Sequence, residues 1–285
     1  MDTQAALDTY RTLRAGMVAA GLLIGFGLIG YIFGQGHGVP ASISATFYSD
    51  LRTIFVTTLL AVGLALVAVK GRPGGENTLL DVAGVLIPVV AFVPTPVYDP
   101  SCPVATQECV PAAFHDAITL NLWAYLGMGL VGLVVAVLRM RAAGSWTAGT
   151  RTGLLVLALI WALYAGAFLF ARAFFIQYAH YASAIPFFLL LIGAVWINGR
   201  SPQGNPQLAG LTVSTYRRIY RAIAIAMVGS LLAGVVVFLA TGSQNAVMGG
   251  DSFPVVFWIE AALLVLFVTY WIFQTIELWD TTQPD

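Results

Sequence analysis

Eight apolar runs, each close to the ~20 residues that cross a bilayer as a helix, leave little of this 285-residue chain for anything else. They cover residues 15–35, 52–69, 79–95, 114–138, 152–171, 179–198, 219–241 and 254–276. The breaks between them include Gly71–Asn77, Pro94–Pro111, Ala142–Thr150, Gly199–Thr215 and Gly242–Phe253. These are polar or rich in Gly and Pro, and none is long enough to hold a second domain. Charge points the same way: 9% of the residues are charged, against roughly 25% in a soluble domain, too few to cover a water-facing surface. The expected fold is all-α, a single transmembrane helical domain over residues 1–285 with about eight spans. The first run follows Arg11 and Arg14 like a secretory signal, but it exceeds the ~7–15-residue core of one and is expected to stay as the first span. The third run is short and carries Pro88, so its ends are the least sharply marked.

Basic residues set the orientation. With the N-terminus inside, the inner segments collect Arg11, Arg14, Lys70, Arg72, Arg139, Arg141, Arg151, Arg200, Arg217, Arg218 and Arg221, and only Arg52 and Arg172 fall outside. This positive-inside bias recurs at every inner loop and places both termini in the cytoplasm. Cys102 and Cys109, the only cysteines, lie in the outer loop 94–111, which has no Lys or Arg. An outer compartment permits a disulfide there, with two free thiols as the alternative.

The residues that are costly in a membrane gather towards the outer side. Asp50 and Arg52 open the second span, His115 and Asp116 the fourth, Arg172 closes the fifth and His180 opens the sixth. Glu260 lies six residues beyond Pro254, roughly 9 Å deep at ~1.5 Å per residue. Among neighbours such as Val256, Phe257, Leu263 and Leu264, it needs a cation partner, such as Arg52, or a raised pKa. These seven residues are the candidate ligand-binding set, expected to ring an outward-facing polar pocket between spans two, four, five, six and eight. The structural alternative is solvated helix ends and caps, with Arg52–Glu260 or Arg172–Asp116 ion pairs locking helices together. His37 reads as a loop residue, Asp81 as a helix cap, and Glu277 and Asp280 as the inner end of the last span.

Several stretches carry a resemblance. Ser42-Ile-Ser-Ala-Thr-Phe-Tyr-Ser-Asp-Leu-Arg-Thr-Ile-Phe-Val, Ala91-Phe-Val-Pro-Thr, His180-Tyr-Ala-Ser-Ala-Ile-Pro-Phe-Phe, Tyr216-Arg-Arg-Ile-Tyr-Arg-Ala-Ile-Ala and Val256-Phe-Trp-Ile-Glu resemble an uncharacterised family of bacterial polytopic membrane proteins. Ser42-Ile-Ser and the small and aromatic residues after His180 are also distantly similar to the Frag/DRAM/Sfk membrane group, with spans four and five as an addition to a six-span pattern. The resemblance implies a bacterial plasma membrane and a link to lipid homeostasis.

Three functions are compatible with these residues. The first is a binding or lipid-handling protein, with Arg52 and Arg172 attracting a phosphate or carboxylate beside Tyr48 and Trp258. The second is an outward-facing hydrolase in which His115, Asp116, His180 and Glu260 hold a metal such as zinc, with His115, His180 and Glu260 as the leading ligands, and activate water against a lipid ester or amide. The third is a proton-coupled transporter with Glu260 as the titrating group and Arg52 as its modulator. Membrane lipids are the expected partners, with a small-molecule or lipid ligand. The sequence assigns neither a cofactor nor an oligomeric state, and it has no phosphate-cradling glycine motif, nucleophile elbow or basic nucleic-acid-binding domain.

Overall fold

The computed structural model describes residues 3–71, 75–100, 102, 108–144, 146–203, 210–241 and 254–280. Arg72, residues 101 and 103–107 of the loop bearing the cysteines, and the break 242–253 lie outside the described residues. Among the described residues, eight α-helices follow the eight apolar runs: α1 Thr3–Ile29, α2 Arg52–Ala68, α3 Gly75–Phe92, α4 His115–Ala142, α5 Ala148–Phe170, α6 Arg172–Arg200, α7 Val213–Thr241 and α8 Val255–Glu277. All but α2 are long and apolar enough to cross a membrane unaided. With 17 residues, α2 sits at the short limit of ~17–25. Several helices outrun their apolar cores. The first begins a dozen residues before the run at Ala15 and the sixth begins at Arg172, because polar residues at membrane ends continue a helix at little cost once it is nucleated.

Six helices close a ring in the order α1, α2, α3, α6, α7, α8, with α8 returning against α1. Alternating crossings make every neighbour in that ring antiparallel. The α4–α5 hairpin packs from outside onto α3 and α6, giving a six-helix body with an added hairpin. The main core fills the ring, from Met17 on α1 through Leu66, Leu80, Leu191 and Met227 to Phe267 and Trp271 on α8. A second cluster, around Ile118, Leu122, Phe168 and Phe175, joins the hairpin to α3 and α6. Leucines such as Leu64, Leu120, Leu155 and Leu239 stand exposed on the outer surface, as a lipid-facing bundle requires.

Lipid tails are as apolar as the core, so helices associate through close packing and satisfied backbone groups rather than through burial from water. At the α2–α3 crossing, a Cβ on Gly63 would lie 2.9 Å from the Gly84 carbonyl oxygen, and one on Gly84 would lie 2.7 Å from that of Gly63. Only glycine lets the two backbones meet. The Gly84 carbonyl is also the one that Pro88, lacking an N–H, leaves without its helical donor. A second proline is served from the hairpin. Pro186 frees the Ala182 carbonyl in α6, and the Tyr164 hydroxyl of α5 lies 3.3 Å from it while bonding Ser183 at 2.8 Å. Such substitutions of side chain for ladder are what allow a proline inside a span.

Gly84→Ala is expected to destabilise the bundle by ~1–3 kcal/mol through backbone overpacking. Gly25→Ala, where nothing lies within 4 Å of the new methyl, is expected to leave it unchanged. Thermal unfolding in a mild detergent compares the two, and equal midpoints would count against this crossing.

Candidate functional site

The chain between α1 and α2 turns back into the bundle instead of running through solvent. Residues Ser44–Tyr48 form a 3-10 turn, and Ser42 caps it, accepting the Ala45 amide at 2.9 Å. The Ile43 and Ser44 amides at its start have no helical acceptors, and Glu260 supplies them from α8. One carboxylate oxygen accepts the Ile43 N–H at 2.5 Å and the Ser44 N–H at 3.1 Å. The other accepts the Ser44 hydroxyl at 2.7 Å. The first turn of α8 adds a bond from the Phe257 amide to the Ala41 carbonyl at 3.2 Å. Ile43, Phe47, Leu51, Phe55 and Phe257 pack around this clasp with Ile24 and Leu28 of α1.

The expected cation partner of Glu260 is therefore replaced by two backbone amides and a hydroxyl. Arg52 stacks over the Phe47 ring at 4.2 Å and the Phe114 ring at 5.0 Å, a cation–π arrangement at the rim. Arg172, exposed at the start of α6, lies over Phe168 at 4.8 Å. Among the described residues both ion pairs belong to Arg11, so neither Arg52–Glu260 nor Arg172–Asp116 forms. Asp50 is exposed, and exposed Asp116 occupies the first turn of α4, where a negative charge complements the helix dipole.

The histidines serve backbone as well. His180, 2% exposed, places Nδ1 2.8 Å from the Val93 carbonyl, just past the end of α3 where no helical donor remains. His115 Nε2 lies 2.9 Å from the Val110 carbonyl in the outer loop. His115, His180 and Glu260 are thus committed to three different segments. Among the described residues no group of three His, Cys, Asp or Glu is placed to hold a metal, so the candidate zinc set does not assemble. His37 stacks on Tyr31 at 4.6 Å, in the loop where it was expected. Cys102 and Cys109 form a disulfide with their Cα atoms 5.7 Å apart, closing a small hairpin in which Val97–Tyr98 pairs with Glu108–Cys109. This hairpin borders a polar junction at Thr95, whose carbonyl accepts the Tyr48 hydroxyl at 2.9 Å and whose side chain bonds Tyr181 at 2.8 Å. Burial pushes the Tyr48 hydroxyl above its ordinary range, so it stays protonated and donates.

Beneath the clasp the ring leaves a partly open chamber of about 110 Å³. Its walls are apolar side chains of α1, α2, α3, α6 and α8, among them Ile24, Val62, Ile87, Phe187 and Phe267. Its polar groups are Ser44, Thr58 and Glu260. The Thr58 hydroxyl is buried and has no hydrogen-bond partner among the described residues. The pocket expected from sequence as polar and ringed by charges is thus an apolar chamber with a polar roof, holding only Glu260 of the seven candidates.

A second buried polar group, at the opposite end of the ring, has no counterpart in the sequence reading. Asn198 donates to Glu76 at 2.7 Å and to the Tyr270 hydroxyl at 2.9 Å, and Gln274 donates to the same hydroxyl at 2.7 Å. Glu277 accepts the Tyr220 hydroxyl and the Gln203 amide, while buried Arg14 donates to the Leu278 carbonyl at 2.9 Å. Glu277 is the last residue of α8, the end of the span where it was expected, and at only 3% exposed it braces that end from within. Asp81 is bonded by Asn77 one turn earlier in α3 and does not cap the helix. The available signal was the spacing Tyr270, Gln274, Glu277, which lines polar groups along one face of an otherwise apolar span.

No protein-family model, curated protein or solved structure matches the chain.

Glu260→Ala leaves two amides and a hydroxyl without acceptors, at ~1–3 kcal/mol for each buried group, and is expected to lower the unfolding midpoint more than any other single change at this end. Arg52→Ala removes a rim cation–π contact and is expected to lose no more than about 1 kcal/mol. Equal losses from the two variants would indicate an Arg52–Glu260 pair instead.

Proposed function

We propose that this protein binds an amphipathic small molecule or lipid fragment in the chamber under the Glu260 clasp. The ligand's apolar body lies among the ring helices and its hydrogen-bond donor faces the roof. The observation that carries this reading is the buried, unpartnered Thr58 hydroxyl in a chamber that also holds Ser44 and Glu260. Buried polar groups are ordinarily satisfied, and one left open beside an internal void is the feature a ligand or water completes. A void of about 110 Å³ is comparable to apolar cavities that admit a benzene-sized ring, so it takes part of a molecule and not a whole phospholipid.

The roof also selects the chemistry of the head. A carboxylate has about four acceptor positions, and Glu260 uses three on the clasp. Both outer arginines lie over aromatic rings outside the chamber lining. An anionic head finds no cation there, while a hydroxyl or ammonium finds Thr58 and the remaining carboxylate capacity. This favours an alcohol or amine amphiphile over the phosphate or carboxylate head expected from Arg52 and Arg172. Binding of this kind suits a sensing or lipid-handling role and requires no covalent step.

Photolabelling with a diazirine-bearing octanol tests the reading. Label is expected on α2 and α8 peptides facing the chamber, competed by octanol and not by octanoate. Val62→Trp, which fills the void, should reduce the label to background. Thr58→Val, which removes only the hydroxyl, should weaken octanol competition by about tenfold, the equivalent of one hydrogen bond. Label spread over the lipid-facing leucines and indifferent to Val62→Trp would overturn the proposal.

A further inference from the structure

Between Asp116 and Asp251 the chain has no carboxylate side chain, yet it carries eight arginines: Arg139, Arg141, Arg151, Arg172, Arg200, Arg217, Arg218 and Arg221. Four of them lie where the end of α6 packs against the start of α7. Arg200 ends α6, while Arg217, Arg218 and Arg221 occupy the first turns of α7, and all four are exposed. The two helices touch here through Gly199. A Cβ at that position would lie 3.2 Å from the Tyr220 Cβ and 3.5 Å from the Arg221 Cγ. The missing side chain therefore lets the stem of Arg221 lie against α6 at Gly199, the residue before Arg200. Trp196, one turn before Arg200 and 39% exposed, provides an amphipathic ring at the level of the membrane interface.

The acids packed nearest to this seam are committed elsewhere. Glu277 accepts Tyr220 and the Gln203 amide, and Glu76 accepts Asn198. None of the four arginines joins an ion pair among the described residues. Arginine presents a planar fork matched to phosphate oxygens, and basic seams between helices on the cytoplasmic side of a membrane are where anionic headgroups bind. We infer that the α6–α7 seam is a binding site for an anionic phospholipid of the leaflet on the basic face, with its phosphate held by Arg200 and Arg221. Arg217 and Arg218 add long-range attraction, and Trp196 packs beside the glycerol and upper acyl region. The site is independent of the chamber under Glu260.

Native mass spectrometry of protein extracted from membranes containing phosphatidylglycerol and phosphatidylethanolamine tests this site. Wild type is expected to retain phosphatidylglycerol through delipidation that removes phosphatidylethanolamine. Retention should fall about tenfold or more in Arg200→Ala/Arg221→Ala. Arg139→Ala/Arg141→Ala also removes two inner charges, but from α4, and should retain the lipid as wild type does. Arg200→Lys/Arg221→Lys, which keeps the charges that orient the chain, should show intermediate retention and verify that the seam variants insert and fold. Equal loss from the α4 and seam variants would show diffuse charge attraction and overturn the site, as would undiminished retention in the seam variant. In thermal unfolding, phosphatidylglycerol nanodiscs should raise the midpoint and inorganic phosphate should not. Equal stabilisation by phosphate alone would replace the lipid with a free-anion site.

Discussion

A backbone amide or carbonyl inside a bilayer has no water to turn to, and leaving one unsatisfied costs several kcal/mol. The polar side chains of this protein are arranged chiefly around that constraint. Glu260 of α8 takes the two amides that open the Ser44–Tyr48 turn. His180 of α6 meets the carbonyl left over at the end of α3, and Tyr164 of α5 reaches the carbonyl that Pro186 frees in α6. In each case a side chain on one helix repairs a defect in another segment. The repair also fixes how the two segments sit.

The chamber follows from the first of these repairs. A loop folded back into the outer end of the ring forms a roof only if its orphan amides are met, and the Glu260 side chain that meets them brings its carboxyl group to a largely apolar chamber. The opposite end is closed differently, by neutral amides and phenols around Glu76, Glu277 and Arg14. The ring thus carries a polar brace at the basic face and the Glu260 clasp at the other.

The helical membrane architecture was readable because it is written in run lengths and arginine placement, which single residues cannot easily disturb. The importance of Glu260 was readable too, since an acid among Phe257, Leu263 and Leu264 must be satisfied by something. Its partner was not. Charge complementarity pointed to Arg52, but a backbone amide is present at every residue and leaves no mark in a sequence. Arg52 found Phe47 and Phe114, rings whose side of the turn depends on the fold of the loop. The gathering of His115, Asp116, Arg172 and His180 at one membrane level came from helix ends lying at one height, and height alone does not make a common cavity. The inner brace escaped notice because Asn198, Tyr220, Tyr270 and Gln274 are neutral and attract little attention among apolar neighbours.

The most direct measurement is amide hydrogen exchange at Ile43 and Ser44 in the intact wild-type protein in lipid nanodiscs. If Glu260 holds these amides, they exchange as slowly as amides in the middle of α8, although they belong to a connecting segment. Exchange as fast as in the exposed loop at Gly36 and Gly38 would show that the clasp does not form, and the roof of the chamber with it.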